Sequence, residues 1–490
     1  MAVLSSDLIR QGASGASTGY TIDNSCRFNY EDDANMTLAI GSDDDSRRKF
    51  TLSFWYKLGF PNDKRGASPF IWSTYEGDSD RWQLMFDNSV GTGAAGNFLV
   101  LYGVNGGSGI SYFQTRRRFR DFGGWYHIVI AFDTTLTAST ERMKLYINGE
   151  REFEFSTLNY PGQNLDTTWG KNGATHYFGK YHSGSGSGTY NVDGTFADVY
   201  GIDGYQYGAE QFGELDENGI WIPKEFTGNF GDGGWFLNFQ DASNLGTDTS
   251  GKSNTFTENN FQTNDQLTDT PTNNKITFNP LHNQRHGGVP QNGNLQYEGP
   301  GTRTMIGQTG GPFPTSGKWA VAIKAAQVST TVGWSYGLQK ADDTDMGDAA
   351  GSNEDIGAGT NGANFTPQSS DGYVYDYEAS AAIDPSLPIT TSDEFWLAVD
   401  IATGKYWFGI YDDSASGYKW VAADAGLDGD PGAGSNHTGT LSALQDNTGN
   451  YEFIFSSKQS GQILTLLREA DLSGAVPTGF TYWENVKDLI

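Results

Sequence analysis

Residues 124–155 read GWYHIVIAFDTTLTASTERMKLYINGEREFEF. Within them, 124–133 and 142–147 are dense in β-branched and aromatic residues and alternate with the two-residue period of a strand. Asn148 and Gly149 follow the second run, and both tolerate the positive φ that a type I′ turn demands. The spacing predicts a hairpin in which 144–147 pairs antiparallel with 151–155.

The same patterning recurs outward from this stretch. Further strands are predicted at 49–58 (KFTLSFWYKL), 82–86, 97–102, 176–180, 195–202 and 235–239. In the second half they are predicted at 318–325 (KWAVAIKA), 331–338, 394–401, 405–411 and 451–456, with a tight turn at Thr403-Gly404. Clusters of Gly, Asn, Asp and Ser separate them, and the one early helix candidate is 209–215. Between these halves, 241–274 turns to Asn, Thr, Asp and Ser with few apolar residues, the composition of a surface connector. The expectation is an all-β chain of two β-sandwich (jelly-roll) domains, 1–240 and 276–490, joined by an extended linker over 241–275.

Composition agrees. Fourteen per cent aromatic residues over 490 positions is ring surface that demands packed cores, and 65 glycines favour turn-rich β-structure over helix. The formal charge of −28 repels phosphate, so no nucleic acid partner is expected and no anionic membrane surface. A single cysteine, Cys26, excludes an internal disulfide framework. No run approaches the roughly 20 apolar residues of a membrane span, and residues 1–20 carry no secretory leader, so neither membrane insertion nor an export signal is expected.

With the strands placed, FTLSFWYK from Phe50, GWYHIVIAFDTT from Gly124, RMKLYINGE from Arg142 and DGTFADVYGIDG from Asp193 together resemble a LamG-type, concanavalin A-like jelly roll. The stretch FGELDENGIWIPKEFTGNFGDGGWFLNF from Phe212, with LGTDTSGKSNTFTENN and DQLTDTPTNN after it, resembles an arrangement in virion proteins of marine and other tailed bacteriophages. There a LamG-like domain precedes a SPRY-like sandwich, which SGKWAVAIKA and FWLAVDIATGKYWFGI resemble in turn. The resemblance implies a fibre, spike or decoration component on the exterior of a phage particle. It further implies assembly as a homo-oligomer with other virion proteins and binding of a host-surface glycan or protein without catalysis. The rivals are a tail-spike polysaccharide depolymerase and a purely architectural decoration protein.

Two motifs are set aside on context. Gly246–Ser253 (GTDTSGKS) matches the Walker A spelling, but no helical pattern follows to present its N–H groups to phosphate. Gly15-Ala-Ser-Thr-Gly19 matches GxSxG without the core strand that a nucleophile elbow needs. A glycosidase would need two facing carboxyls, and Glu214, Asp216 and Glu217 fall in a stretch read as helix and turn. The six histidines show no zinc spacing.

The ligand-binding candidates are therefore rings near turns and a basic run. Trp72, Tyr75, Trp82 and Tyr181 could stack on a sugar's apolar face, whereas Trp55, Trp125, Phe132 and Trp396 read as core. Arg116 and Arg118, with Arg117 and Arg120, could clamp an acidic group or pair with local acids. No cofactor is required; calcium is the one cation that acidic loops would suit, at Asp342, Asp343 and Asp345 or at Asp428 and Asp430. If these loops hold calcium, millimolar calcium raises the melting temperature and a chelator reverses it; superimposable melting curves would remove calcium.

Overall fold

The computed structural model describes residues 19–30, 32–41, 47–59, 69–87, 97–181, 191–284, 289–299, 304–308, 312–327, 334–340, 356, 362–367, 372–376, 378–387, 389–457 and 460–484. The chain divides into two compact units, Met1–Asn274 and Lys275–Ile490. Among the described residues both are built from strands and short 3₁₀ turns, and no helix is long and apolar enough to cross a membrane.

The first unit packs two antiparallel sheets. One runs, in hydrogen-bonded order, Glu150–Arg151, Met143–Ile147, Trp125–Asp133, Lys49–Leu58, Gly194–Asp203, Ser25–Phe28 and Gln266–Leu267, with Trp235–Leu237 also paired to Gly194–Asp203. The other runs Phe155–Leu158, Ser108–Arg118, Phe98–Asn105, Asp80–Asp87, Phe70–Gly77, Thr175–Phe178, Asn35–Ala39 and Thr257–Asn259. The strand Lys49–Leu58 shows the division of faces. Phe50, Leu52, Phe54, Tyr56 and Leu58 join the core between the sheets, so alternation turns Thr51, Ser53, Trp55 and Lys57 outward.

Those outward residues are nevertheless buried, Lys57 to 3% exposure. A third layer covers them. Ala209, Phe212, Phe226 and the half-buried Trp221, Phe230 and Phe236 pack on Val129, Tyr200 and Ile202, while Tyr20 and Ile22 pack with Trp55 and Trp125. Beneath it, Trp221 Nε1 donates to His127 Nδ1 at 3.0 Å, which leaves the Nε2 proton of a neutral imidazole facing Ser53 Oγ at 2.9 Å. Burial holds the His127 pKa down to about 3, so this histidine is a neutral brace.

The segment 241–274, expected as a connector, belongs to the first unit. Leu245 and Phe256 enter its core, Thr257–Asn259 extends one sheet and Gln266–Leu267 the other. Its polar residues are used where apolar ones are scarce. Asp265 accepts from Arg27 Nη2 at 2.8 Å, and Asp269 accepts from Lys57 Nζ at 2.9 Å and from Trp125 Nε1 at 3.3 Å. A buried cation needs an acid partner, and this segment brings both acids.

The Asn148-Gly149 turn forms with φ of 50° and 82°, pairing Ile147 with Glu150 and Tyr146 with Arg151. The hairpin is shorter than predicted, because Phe155–Leu158 crosses to pair with Ser108–Arg118 in the other sheet. The predicted helix at 209–215 is a single 3₁₀ turn, Ala209–Gln211, followed by a strand Gly213–Leu215 paired with Trp221–Pro223. A seven-residue stretch interrupted by Gly213 cannot outweigh the nucleation cost of a helix.

The second unit is also a sandwich. Phe278–Gln284, Thr304–Gln308, Tyr451–Ser457, Trp334–Lys340, Ala363–Pro367, Gly372–Asp376 and Ala381–Ile383 form one sheet in that order. The other is centred on Lys318–Ala325, Glu394–Asp400 and Lys405–Asp412. Val321, Ile323, Phe395, Leu397, Phe408 and Phe455 fill the space between them. Trp55, Trp125, Phe132 and Trp396 are all buried, as the strand pattern predicted.

Replacing Asp269 by Ala should strand the Lys57 ammonium and lower the stability of the first unit by about 3 kcal/mol in urea unfolding. Replacing Asp166, whose ion pair with Arg48 is half exposed, should change it by under about 1 kcal/mol. Equal losses would contradict the pinning role of Lys57.

Candidate functional site

The strand Gly194–Asp203 breaks its own period. Ala197 lies opposite Trp55 and Tyr200 opposite Ser53, so three residues of one strand span two of its neighbour. That is a β-bulge, and its additional residue is Asp198 at φ 43°, a left-handed conformation that Asp tolerates better than most residues. The bulge keeps Phe196 and Val199 in the inter-sheet core on either side of the acid.

Asp198 is 3% exposed. Tyr20 donates its hydroxyl to Oδ2 at 2.6 Å and Tyr200 to the same oxygen at 3.2 Å. Among the described residues no hydrogen bond reaches Oδ1. Burial pushes the Asp198 carboxyl up to about 7, opposed by the two phenol hydrogen bonds and reinforced by the charge of Asp23. Burial and then the charge of Asp198 raise Tyr20 far above the usual phenol range, so both phenols remain donors.

These groups border a cavity of about 420 Å³ in the covering layer. Tyr200 stacks flat on Phe236 with ring centroids 4.2 Å apart, and Phe226 meets Phe230 edge-on at 5.0 Å. With Tyr20 they make an aromatic wall, and Asp23, Glu225, Asn24, Asn238 and Gln240 supply the polar rim. Polar and charged residues border most of the cavity, and the rings form its apolar part.

None of the ligand residues predicted from sequence borders this cavity. Trp72 and Trp82, at 1% exposure, are core residues and not stacking platforms: Trp72 Nε1 donates to His176 Nδ1 at 3.3 Å, and Trp82 stacks on Tyr112 at 4.5 Å. Tyr75 and Tyr181 are half-buried, the first donating to Asp78 and the second stacked on Phe70. Along Ser108–Arg118, Arg116 donates to the Phe155 carbonyl and Arg118 lies over Phe98, while Arg117 points the other way to pair with Glu152. The basic run is thus divided between two faces.

Asp342, Asp343 and Asp345 lie outside the described residues. Asp428 accepts from Asn436 and Asp430 from the Ala433 N–H, and among the described residues no three His, Cys, Asp or Glu side chains group closely enough to hold a metal ion. In Gly246–Ser253 the acid Asp248 occupies the centre of the loop. Its carboxylate accepts the N–H groups of Phe236, Ser250 and Asn254 at 2.8–2.9 Å, Lys252 pairs with Asp232, and the chain continues to a strand. Donors that a phosphate would need are taken by the protein's own acid. Gly15–Gly19 lies mostly outside the described residues. Glu214, Asp216 and Glu217 sit on a short hairpin, where Asp216 accepts the Ile220 N–H.

One signal for this cluster was present in sequence: Asp198 is the single charge within TFADVYGI, residues 195–202. Tyr20 and Glu225 carry none, being distant in sequence and brought over the bulge by the covering layer.

A carboxyl raised to about 7 takes up a proton on folding between about pH 4 and 7, so its contribution to stability is full below pH 4 and lost as pH rises through 7. Asn fits the same φ and accepts the same phenol hydrogen bonds. Relative to wild type, Asp198→Asn should therefore gain stability as pH rises from 4.5 to 7.5, by on the order of 3 kcal/mol, then level off. A stability difference independent of pH would refute this.

Residues 31–201 match the family model described as the concanavalin A-like lectin/glucanases superfamily. Among solved structures, the chain is similar to domains LG4-5 of the mouse laminin alpha1 chain, with 9% identity over 95% of both chains and a TM-score of 0.29. It is similar to the heptameric SAP-like pentraxin of Limulus polyphemus at 15% identity, covering 39% of this chain and 80% of that one, TM-score 0.27. It is also similar to the enzymatically active domain of bacteriophage CBA120 tailspike protein 2, at 14% identity, covering 36% of this chain and 25% of that one, TM-score 0.25. No curated protein sequence matches the chain. The first unit has a concanavalin A-like jelly-roll fold.

Proposed function

We propose that this chain is a surface component of a tailed-phage virion, a fibre, spike or decoration protein, whose first unit binds a glycan without cleaving it through the cavity over Asp198. The observation that carries the binding reading is the cavity itself: stacked aromatic rings beside a buried carboxylate with one uncommitted oxygen, on a lectin-type frame. Rings present apolar faces to sugar C–H groups, and a fixed acceptor beside them orients one hydroxyl or amine. The virion reading is supported by the sequence resemblance through 212–274 and by its continuation into a second sandwich, which we assign to the SPRY-like class. Many copies on a particle would raise weak single-site affinity through avidity.

A hydrolytic reading has one observation in its favour, a carboxyl near pH 7 that could serve as a general acid. The two separate cleanly. On a glycan array the full chain should bind specific surface glycans, and Tyr20→Ala should weaken that binding at least tenfold. Sustained release of reducing ends from host polysaccharide, abolished in Asp198→Asn, would replace binding by hydrolysis. Immunogold labelling of intact particles should place the chain on the exterior; unlabelled particles would remove the virion assignment.

A further inference from the structure

We propose that the cavity over Asp198 selects a glycan bearing a cationic amine, an unacetylated amino sugar or an ammonium substituent, and rejects acidic sugars. This deepens the reading that the cavity is the glycan site and rests on it. Among the described residues, the charged ones that border it are Asp23, Asp198 and Glu225, and none of the bordering residues is Lys, Arg or His. A uronate or sulfate would enter against three acids with no counter-charge among the described residues, whereas an ammonium meets acceptor oxygens and by its charge favours loss of the Asp198 proton. The walls favour the same sign. Tyr20, Tyr200, Phe226, Phe230 and Phe236 border the cavity, and an ammonium seated over an aromatic face is stabilised further when desolvated.

Asp198 supplies the specific contact. It is buried, held on Oδ2 by two phenols, and without a hydrogen bond on Oδ1 among the described residues. A buried carboxylate in that state lacks a counter-ion, and a ligand that brings one removes a desolvation cost that a neutral hydroxyl leaves in place. The ion is organic and not metallic, since among the described residues no three acids group tightly enough to coordinate a metal. A bulkier ammonium, spread over a 420 Å³ space, can engage acids that stand farther apart. The net charge of −28 draws cations toward the surface from a distance.

Isothermal titration of the full chain at pH 7 tests this with four probes: glucosamine tetramer, N-acetylglucosamine tetramer, galacturonic acid tetramer and calcium chloride. The glucosamine tetramer should bind at least tenfold more tightly than its acetylated form, with no binding of the galacturonate. Displacement by choline would assign recognition to the ammonium itself and supports the proposal; failure of choline to compete, with the tetramer preference intact, supports an amino sugar as the source. Asp23→Asn combined with Glu225→Gln, both at exposed positions, should weaken glucosamine binding tenfold with an unchanged melting curve. Equal or tighter binding of the acetylated or acidic tetramer that Tyr20→Ala abolishes would overturn the cationic selectivity and leave the glycan site standing. Binding that Tyr20→Ala does not change would overturn both. Calcium uptake lost in the double variant, or no heat from any organic probe at millimolar concentration, would also overturn the cationic assignment.

Discussion

The outer face of the first sheet has to be covered. Its strands present Lys57, Ser53, Trp55, Trp125 and His127 away from the inter-sheet core, and this mixture of large rings and polar groups is stable only beneath another layer. The chain provides that layer from three places: residues around Tyr20, the stretch from Ala209 to Phe236, and the segment ending at Asn274. Lys57 locks the last of these, because an ammonium buried in protein requires the carboxylate of Asp269 and the amide oxygen of Asn274. The cavity is the space those covering segments leave open above Asp198.

Placing an acid there works against stability. Asp198 holds a left-handed backbone, interrupts a ladder and loses hydration. Such departures concentrate where a protein binds or reacts, because a preformed, partly unsatisfied group is what a ligand can complete. The neighbouring Ser53, His127 and half-buried Trp221 make the contrast: they are mutually satisfied and structural. Hydrogen bonding separates the two clusters, although both contain residue types common in active sites.

Part of the alternating strands was legible, while Phe70–Gly77 and Ser108–Arg118 were not marked by their pattern. Lys49–Leu58 and Lys318–Ala325 occupy the ranges their patterns mark, and Asn148-Gly149 turns as its composition requires. What misled was proximity to turns. Trp72 and Trp82 lie near strand ends but point inward, since a period of two fixes direction only once the register of a neighbouring strand is known. Arg116, Arg117 and Arg118 form a run along the chain and a split pair of faces in space, for the same reason. Gly246–Ser253 shows the converse, a spelling whose chemistry is cancelled by one internal acid, Asp248.

The amino-acid sequence by itself determined the class of the fold, the number of sandwiches and the charge that repels phosphate, because these depend on local period, turn chemistry and composition. It also carried the polar character of 241–274, though not where that segment lies. Tertiary structure decided the rest. A one-residue bulge shifts which face every later side chain of Gly194–Asp203 occupies, and three segments more than 170 residues apart at their extremes meet over it. Neither a register shift nor a long-range closure leaves a period to read, so Asp198, Tyr20 and Glu225 border one cavity only when the sheet and its cover are assembled.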